Sequence, residues 1–224
     1  MRMNSKILRA FIREVITEAT SKEDIAAFYE DASDWGMKAI TLYSPAVLEK
    51  NTDDIASGVL GYIAAQKPKD PCAGAWEIKM AGGRGYGGVL YPAMFAAVDG
   101  PLMPDRHSTT QSAEGGWGKQ GGRQKKPLDN VAAKADQKAT PDDTSDDCTV
   151  RKWKQNDKTQ QWEGDPVLDF AYSPKGGEDA LLGRLVAAHE KFVKKLEEKG
   201  VDVQSFLAQL SREGVNKFEM ERLG

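Results

Sequence analysis

Five glycines fall within seven residues, Gly82-Gly83-Arg84-Gly85-Tyr86-Gly87-Gly88. Such a run cannot extend a strand or a helix, because each residue without a Cβ adds backbone freedom that a regular element must give up. The flanks, by contrast, read as regular. Residues 74–81 (GAWEIKMA) alternate, with Trp76, Ile78 and Met80 facing one way and Glu77 and Lys79 the other, which predicts a strand. After the run comes VLYPAMFAAV, an apolar helix with Pro92 placed near its first turn, where proline is tolerated. Asp99-Gly100-Pro101 stops it. A glycine bend between a strand and a helix lets backbone N–H groups approach an anion at the positive end of the helix dipole, a nest suited to a pyrophosphate. The Lys-Ser/Thr of a P-loop is missing, and no βαβ unit precedes the bend as in a dinucleotide fold.

Around this junction the periodicity supplies the other elements. Residues 5–19 (SKILRAFIREVITEA) carry Leu8, Phe11, Ile12, Val15 and Ile16 on one stripe, with Ser5 as N-cap. A helix of about four turns is marginal alone in water. Its stripe therefore buries against this chain or against a partner. Ser21 and Asp24 are spaced like a capping box and predict a second helix through Ile25, Ala26, Phe28 and Tyr29 to Gly36. Residues 37–43 (MKAITLY) and 55–65 (IASGVLGYIAA) read as strands, the latter because Gly58 and Gly61 together cost a helix about 2 kcal/mol. Strand 55–65, the turn at 67–71 and strand 74–81 predict an antiparallel hairpin. Residues 108–119 read as a short helix opening at Ser108, and 166–172 (PVLDFAY) as a last strand. From Glu178 to the end the pattern is an αα-hairpin broken at Gly200, with Leu181, Leu182, Leu185, Val186, Phe192, Val193 and Leu196 on its first helix. Val203, Phe206, Leu207 and Leu210 mark its second, and Phe218, Met220 and Leu223 follow Gly214.

Composition narrows the function classes. The 224 residues hold 31 basic and 34 acidic side chains, a net charge of −3, which implies no strong field for nucleic acid or membrane. Hydrophobic residues are 40% and the mean hydropathy is −0.56, enough for a core in part of the chain. No apolar run approaches the ~20 residues that span a bilayer. Arg9, Arg13 and Glu14 interrupt what a secretion signal would need as its apolar stretch. Cys72 and Cys148 stand far apart without a zinc pattern and read as unpaired thiols of a reducing compartment.

Residues 119–149 are poor in large apolar side chains, and their PDDTSDDC segment lacks the glycine and closing glutamate of a calcium loop. Trp153 and Trp162, among lysines and glutamines, either anchor a long loop or stack single-stranded nucleic acid with Arg123, Lys125, Lys126, Arg151, Lys152 and Lys154. The −3 total and the interleaved aspartates argue against nucleic acid. His189 reads as a boundary residue of its helix, and His107 has no visible partner. No nucleophile elbow, HExxH or Walker lysine is present.

Gly82-Gly83-Arg84-Gly85-Tyr86-Gly87 resembles the acyl-CoA loop of the GNAT N-acetyltransferases, whose frame is Gln or Arg, x, x, Gly, x, Gly or Ala. The strand before it, the helix after it, and Ser112-Ala113, Trp117 and Gly121 downstream agree with that family over about residues 37–120 and 166–172. The resemblance implies cofactor contacts at Gly83, Arg84, Gly85, Tyr86, Gly87 and Gly88, with acetyl-CoA as cofactor if the chain is active. Two positions depart. Gly82 stands at the family's Gln/Arg position. Trp117 stands where many members keep a tyrosine general acid, and an indole cannot protonate a thiolate. Glu77 matches the strand on which some members keep a base, but it reads equally as a solvent-facing residue.

A second resemblance joins Leu8-Arg9, Ile12-Arg13-Glu14 and Ile16, the run Gly85-Tyr86-Gly87-Gly88-Val89-Leu90-Tyr91, and Pro101-Leu102-Met103-Pro104-Asp105-Arg106-His107-Ser108. Together they look like uncharacterised virion-associated proteins of tailed bacteriophages. The expected fold is thus α+β: a GNAT-like central mixed sheet flanked by helices, with an N-terminal amphipathic helix and a C-terminal helical hairpin. The expected organisation is a docking or packaging helix (1–20), a GNAT-like domain (21–173) with a long loop at 119–165, and a helical hairpin (174–224). The expected role is a phage virion-associated structural protein, made in the host cytoplasm, on a catalytically inactive scaffold that needs no cofactor. It would be oligomeric in an assembly, meeting other virion proteins through 5–19 and 119–165, with no membrane. The alternative is an active N-acetyltransferase.

Overall fold

The computed structural model of the chain describes residues 25–32, 36–67, 74–83, 85–105, 111–120, 122–127, 154–155, 162–163 and 170–223. The helix expected at 5–19, Arg84, both cysteines, His107, Trp153 and most of 119–165 lie outside the described residues.

The elements run β1 (Ala26–Ala32), β2 (Met37–Tyr43), α1 (Pro45–Lys50), α2 (Ile55–Gly58), β3 (Val59–Gln66), β4 (Trp76–Gly82), α3 (Gly87–Val98), β5 (Leu102–Met103), α4 (Gln111–Gly118), β6 (Lys125–Pro127), β7 (Lys154–Gln155), β8 (Trp162–Glu163), β9 (Phe170–Tyr172), α5 (Glu178–Glu198) and α6 (Val203–Leu223). Seven strands form one mixed sheet in the order β1-β2-β3-β4-β5-β9-β6, while β7 and β8 pair separately. The expected α+β architecture, a mixed sheet flanked by helices, is present. Strands β1 to β4 are antiparallel, with β3 and β4 forming the expected hairpin, and β4 and β5 are parallel. Parallel neighbours need a crossover, and α3 provides it. Among the described residues no helix is long and apolar enough to cross a membrane.

The helix expected from Ser21 is corrected: Ala26–Ala32 is a strand, paired with β2 from Ala26↔Tyr43 to Ala32↔Met37. The misleading pattern has a physical cause. Both faces of β1 are covered, so Ala26 and Phe28 enter one core while Ala27 and Tyr29 enter the other. A strand buried on both faces loses its alternation and imitates a helical stripe. The strand expected at 55–65 starts later, because Asp54 Oδ1 accepts from the Ser57 amide at 3.2 Å and caps one helical turn first. Pro92 sits in the second turn of α3 rather than the first. The carbonyl it leaves without a helical donor belongs to Gly88, which brings no side chain to the crowded turn.

Two cores lie on the two faces of the sheet. On one, Leu90, Tyr91, Met94 and Phe95 of α3 pack on Ile40, Leu42, Ile63 and Ile78, with Leu185 of α5. Helix α3 is apolar all round because it is enclosed. On the other face, Phe192 and Leu196 of α5 and Phe206 and Leu210 of α6 enclose Ala26, Tyr43, Ile55 and Val59. Helix α5 contributes to both cores and packs along β1, so the sheet's outer edge is covered. Lys38 Nζ donates to the Ala97 carbonyl at 2.7 Å and ties the end of α3 to β2. Arg123, one of the basic residues weighed and set aside for nucleic-acid contact, is buried. It pairs with Glu178 at 2.6 Å, bonds Gln120 Oε1 at 2.8 Å, and lies 4.0 Å from the centre of the Phe95 ring. Burial pushes the Glu178 carboxyl up, but the Lys175 amide and Arg123 outweigh it and hold it below its ordinary value.

Helix α6 runs unbroken through Gly214. A Cβ there would lie 2.7 Å from Thr41 Oγ1 and 2.8 Å from Tyr62 Cδ2, so the glycine sets how closely α6 approaches the sheet. Gly214→Val is expected to lower urea-measured stability by about 1–3 kcal/mol through overpacking. Gly183→Ala, on α5 with open space around it, is expected to raise it by about 0.5–1 kcal/mol through helix propensity. Equal effects at the two positions would contradict this packing.

Candidate functional site

Strand β4 pairs along one edge with β3 as far as Gly82, but with β5 only at Trp76↔Leu102 and Glu77↔Met103. From Ile78 onward the two parallel strands part. The β3–β4 ladder also shifts: Ala65 opposes Ile78 and Ala64 opposes Met80, which leaves Lys79 as an extra residue. This bulge corrects the expected facing of Met80. Trp76 and Ile78 belong to the α3 core, whereas Met80 packs with Ala39, Tyr62 and Ala64 on the α6 side. Bulges recur beside functional sites because they re-aim side chains.

Beyond the parted strands the chain makes the glycine bend. Gly83 has φ +134° and Gly85 φ +91°, both outside the range open to other residues. The Tyr86 amide donates to the Gly83 carbonyl at 3.0 Å and closes the turn. Helix α3 then starts at Gly87 with no side-chain cap from Tyr86. Val89 and Leu90 both donate to the Tyr86 carbonyl, at 2.8 and 2.9 Å, while the Gly87 and Gly88 amides precede the first full turn and have no acceptor within the helix, by helix geometry. A Cβ at Gly85, Gly87 or Gly88 would meet nothing within 4 Å, so space lies open over the bend. Behind it the packing is the reverse. A Cβ on Gly83 would lie 2.8 Å from Gly61 Cα and 3.0 Å from the Leu60 carbonyl. Gly61, read only as a poor helix residue, is thus the partner that lets β3 back the bend; a lone glycine inside an apolar strand was its signal.

Of the residues expected to hold a cofactor, Gly83, Gly85, Tyr86, Gly87 and Gly88 come together at this junction, and Arg84 lies outside the described residues. Tyr86 is half-buried against the α3 core. Trp117 on α4 is only 1% exposed, stacked on Tyr172 with ring centres 5.3 Å apart and edge-on to Tyr91 at 5.2 Å. Ser112 and Ala113 lie on the same helix, and Gly121 is outside the described residues.

Glu77 is 2% exposed, so the solvent-facing reading is set aside. Lys79 Nζ lies 2.9 Å from Glu77 Oε1 and 3.9 Å from Asp105 Oδ1. Asp105 sits just past β5, so Lys79 bridges the place where β4 and β5 separate. Neither the bulge nor Asp105 had a local sequence signal. Among the described residues no group of His, Cys, Asp and Glu is placed to hold a metal ion.

His189 is far from this junction. It is half-buried on α5, its Nδ1 2.8 Å from the Tyr43 hydroxyl and its ring 5.3 Å from that of Phe28. It serves packing between helix and sheet. No protein-family model matches the chain, and no curated protein or solved structure matches it.

Burial holds the His189 pKa below its ordinary 6.5, opposed by nearby Glu190. The unfolded chain therefore takes up a proton at this position before the folded one does. Its contribution is complete above pH 6.5 and falls as the pH drops below that value. Urea titrations of the parent chain and His189→Phe between pH 5 and 7.5 should show the parent losing stability faster toward acid. Parallel profiles would contradict this assignment.

Proposed function

We propose that this protein is a virion-associated structural component of a tailed bacteriophage, built on a GNAT-like scaffold whose catalytic centre has been filled in. The observation that carries the inactive part of this reading is Trp117. The resemblance aligns it with a tyrosine general acid, yet its indole is enclosed between Tyr91 and Tyr172. It has no hydroxyl to give and no opening to give it through. The order strand, glycine bend, helix, short parallel strand, helix supports the GNAT-like scaffold. The phage assignment rests on the three short segments that resemble virion-associated proteins. The amphipathic sequence pattern of 5–19 and the scarcity of large apolar side chains in 119–149 suit a protein whose partners supply the buried surface it lacks.

A second reading, an N-acetyltransferase, is favoured by one observation: the buried Glu77 carboxylate beside Lys79, on the strand that leads into the bend. The residues present fit an acyl-CoA, because the space over Gly85, Gly87 and Gly88 is open. The bend amides and the positive end of α3 would hold its pyrophosphate. Glu77 lies five residues before Gly82, about 16 Å along an extended strand, a separation suited to a carrier whose reactive end is remote from its phosphates. When bound, acetyl-CoA supplies a thioester. Glu77 would take a proton from an acceptor amine, directly or through water.

Mass spectrometry of purified particles of the encoding phage tests the first reading. The chain is expected at a stoichiometric copy number, and deletion of residues 1–19 is expected to reduce its incorporation. Absence from particles, together with multiple turnover of acetyl-CoA by the purified chain, would replace it with the second.

A further inference from the structure

Lys79 occupies an unusual place for a surface lysine. It is the extra residue of the β4 bulge, its side chain is 24% exposed, and its Nζ is held 2.9 Å from a carboxylate that is itself buried. Its second neighbour, Asp105, lies across the gap that opens where the β4–β5 ladder ends. A flexible ammonium is thereby fixed beside the end of the β4–β5 ladder, three residues before Gly82 and so about 10 Å along the strand from the glycine bend, next to a carboxylate that can accept a proton. We propose that Lys79 is a self-acylation site: a nucleophile in the chain itself, acylated by a thioester carrier seated on the glycine bend. This rests on the reading that the bend accepts an acyl-CoA.

The step balances with groups already named. The Lys79 ammonium gives up two protons, one to Glu77 and one to the departing sulfur. Its nitrogen forms a bond to the acyl carbon as the carbon–sulfur bond breaks, with the electron pair staying on sulfur. Glu77 then returns its proton to solvent. The product is an amide, and the charge that bridged Glu77 and Asp105 is gone. The reaction runs once per chain, because the acceptor is consumed. It does not need the general acid that Trp117 cannot supply, since one slow event requires no rapid protonation of the leaving group. A scaffold that has lost turnover can therefore still mark itself.

The test incubates the purified full-length chain with acetyl-CoA and maps acetyl-lysines by peptide mass spectrometry, with calorimetry of CoA binding in parallel. Acetylation of Lys79 is expected to be at least about tenfold faster than that of exposed Lys50 and Lys199, through proximity. It should be slowed in Glu77→Gln, suppressed by excess CoA, and no faster than at other lysines in urea-unfolded chain. Lys79 acetylated no faster than Lys50 overturns the inference. If CoA then still binds with measurable heat, the bend remains a carrier site and only the self-acylation falls. If no heat is seen, the carrier reading falls with it.

Discussion

The contact on which this architecture turns involves no side chain. At the end of β4 the backbone of Gly83 lies against Gly61 of β3, so close that a Cβ on either residue would be within about 3 Å of the opposing main chain. That approach lets the chain leave the sheet at once, with φ +134° at Gly83 and +91° at Gly85, and enter α3 through one short bend. A bulkier residue at Gly83 would push the bend off β3 and shift the start of α3. The same helix supplies much of one core and carries the chain over to β5. The parallel pair and the start of α3 beside the open space at Gly85, Gly87 and Gly88 both follow from one close passage of backbone.

The two cores are joined through α5, whose Leu185 reaches the α3 side while Phe192 and Leu196 reach the other. The buried Arg123–Glu178 pair adds a polar fixing point where α5 begins. A buried pair of this kind contributes little net stability, but removing one partner costs several kcal/mol, because the other charge is left unpaired. With the Gln120 and Ser173 contacts of Arg123, it holds the chain between α4 and β6 in place.

Much of the frame was legible in the sequence, and the failures have causes. Strand β2, strand β4, the bend, α3 and the two last helices follow from periodicity and punctuation, because each has either one apolar face or clear stops. Strand β1 was misread since Ala26, Ala27, Phe28 and Tyr29 are all covered. The bulge at Lys79 was invisible: register is set by pairing between strands, and nothing local in WEIKMAG announces it. The burial of Glu77 and its link through Lys79 to Asp105 depend on how β4 and β5 part, which periodicity cannot report. The placement of Gly83, Gly85, Gly87 and Gly88 between a strand and a helix was legible, because a glycine run interrupts the periodicity on both of its sides. The enclosure of Trp117 required knowing that α4 lies against Tyr91 and Tyr172.

On the proposed reading, the bend between β4 and α3 is an anion cradle made of backbone. The most direct measurement is a titration of CoA into chain labelled with ¹⁵N-glycine, followed by two-dimensional NMR. Saturable shifts of the Gly85, Gly87 and Gly88 amides are expected, with Gly183 and Gly200 unmoved. Shifts spread evenly over all glycines, or none at the bend, would contradict it.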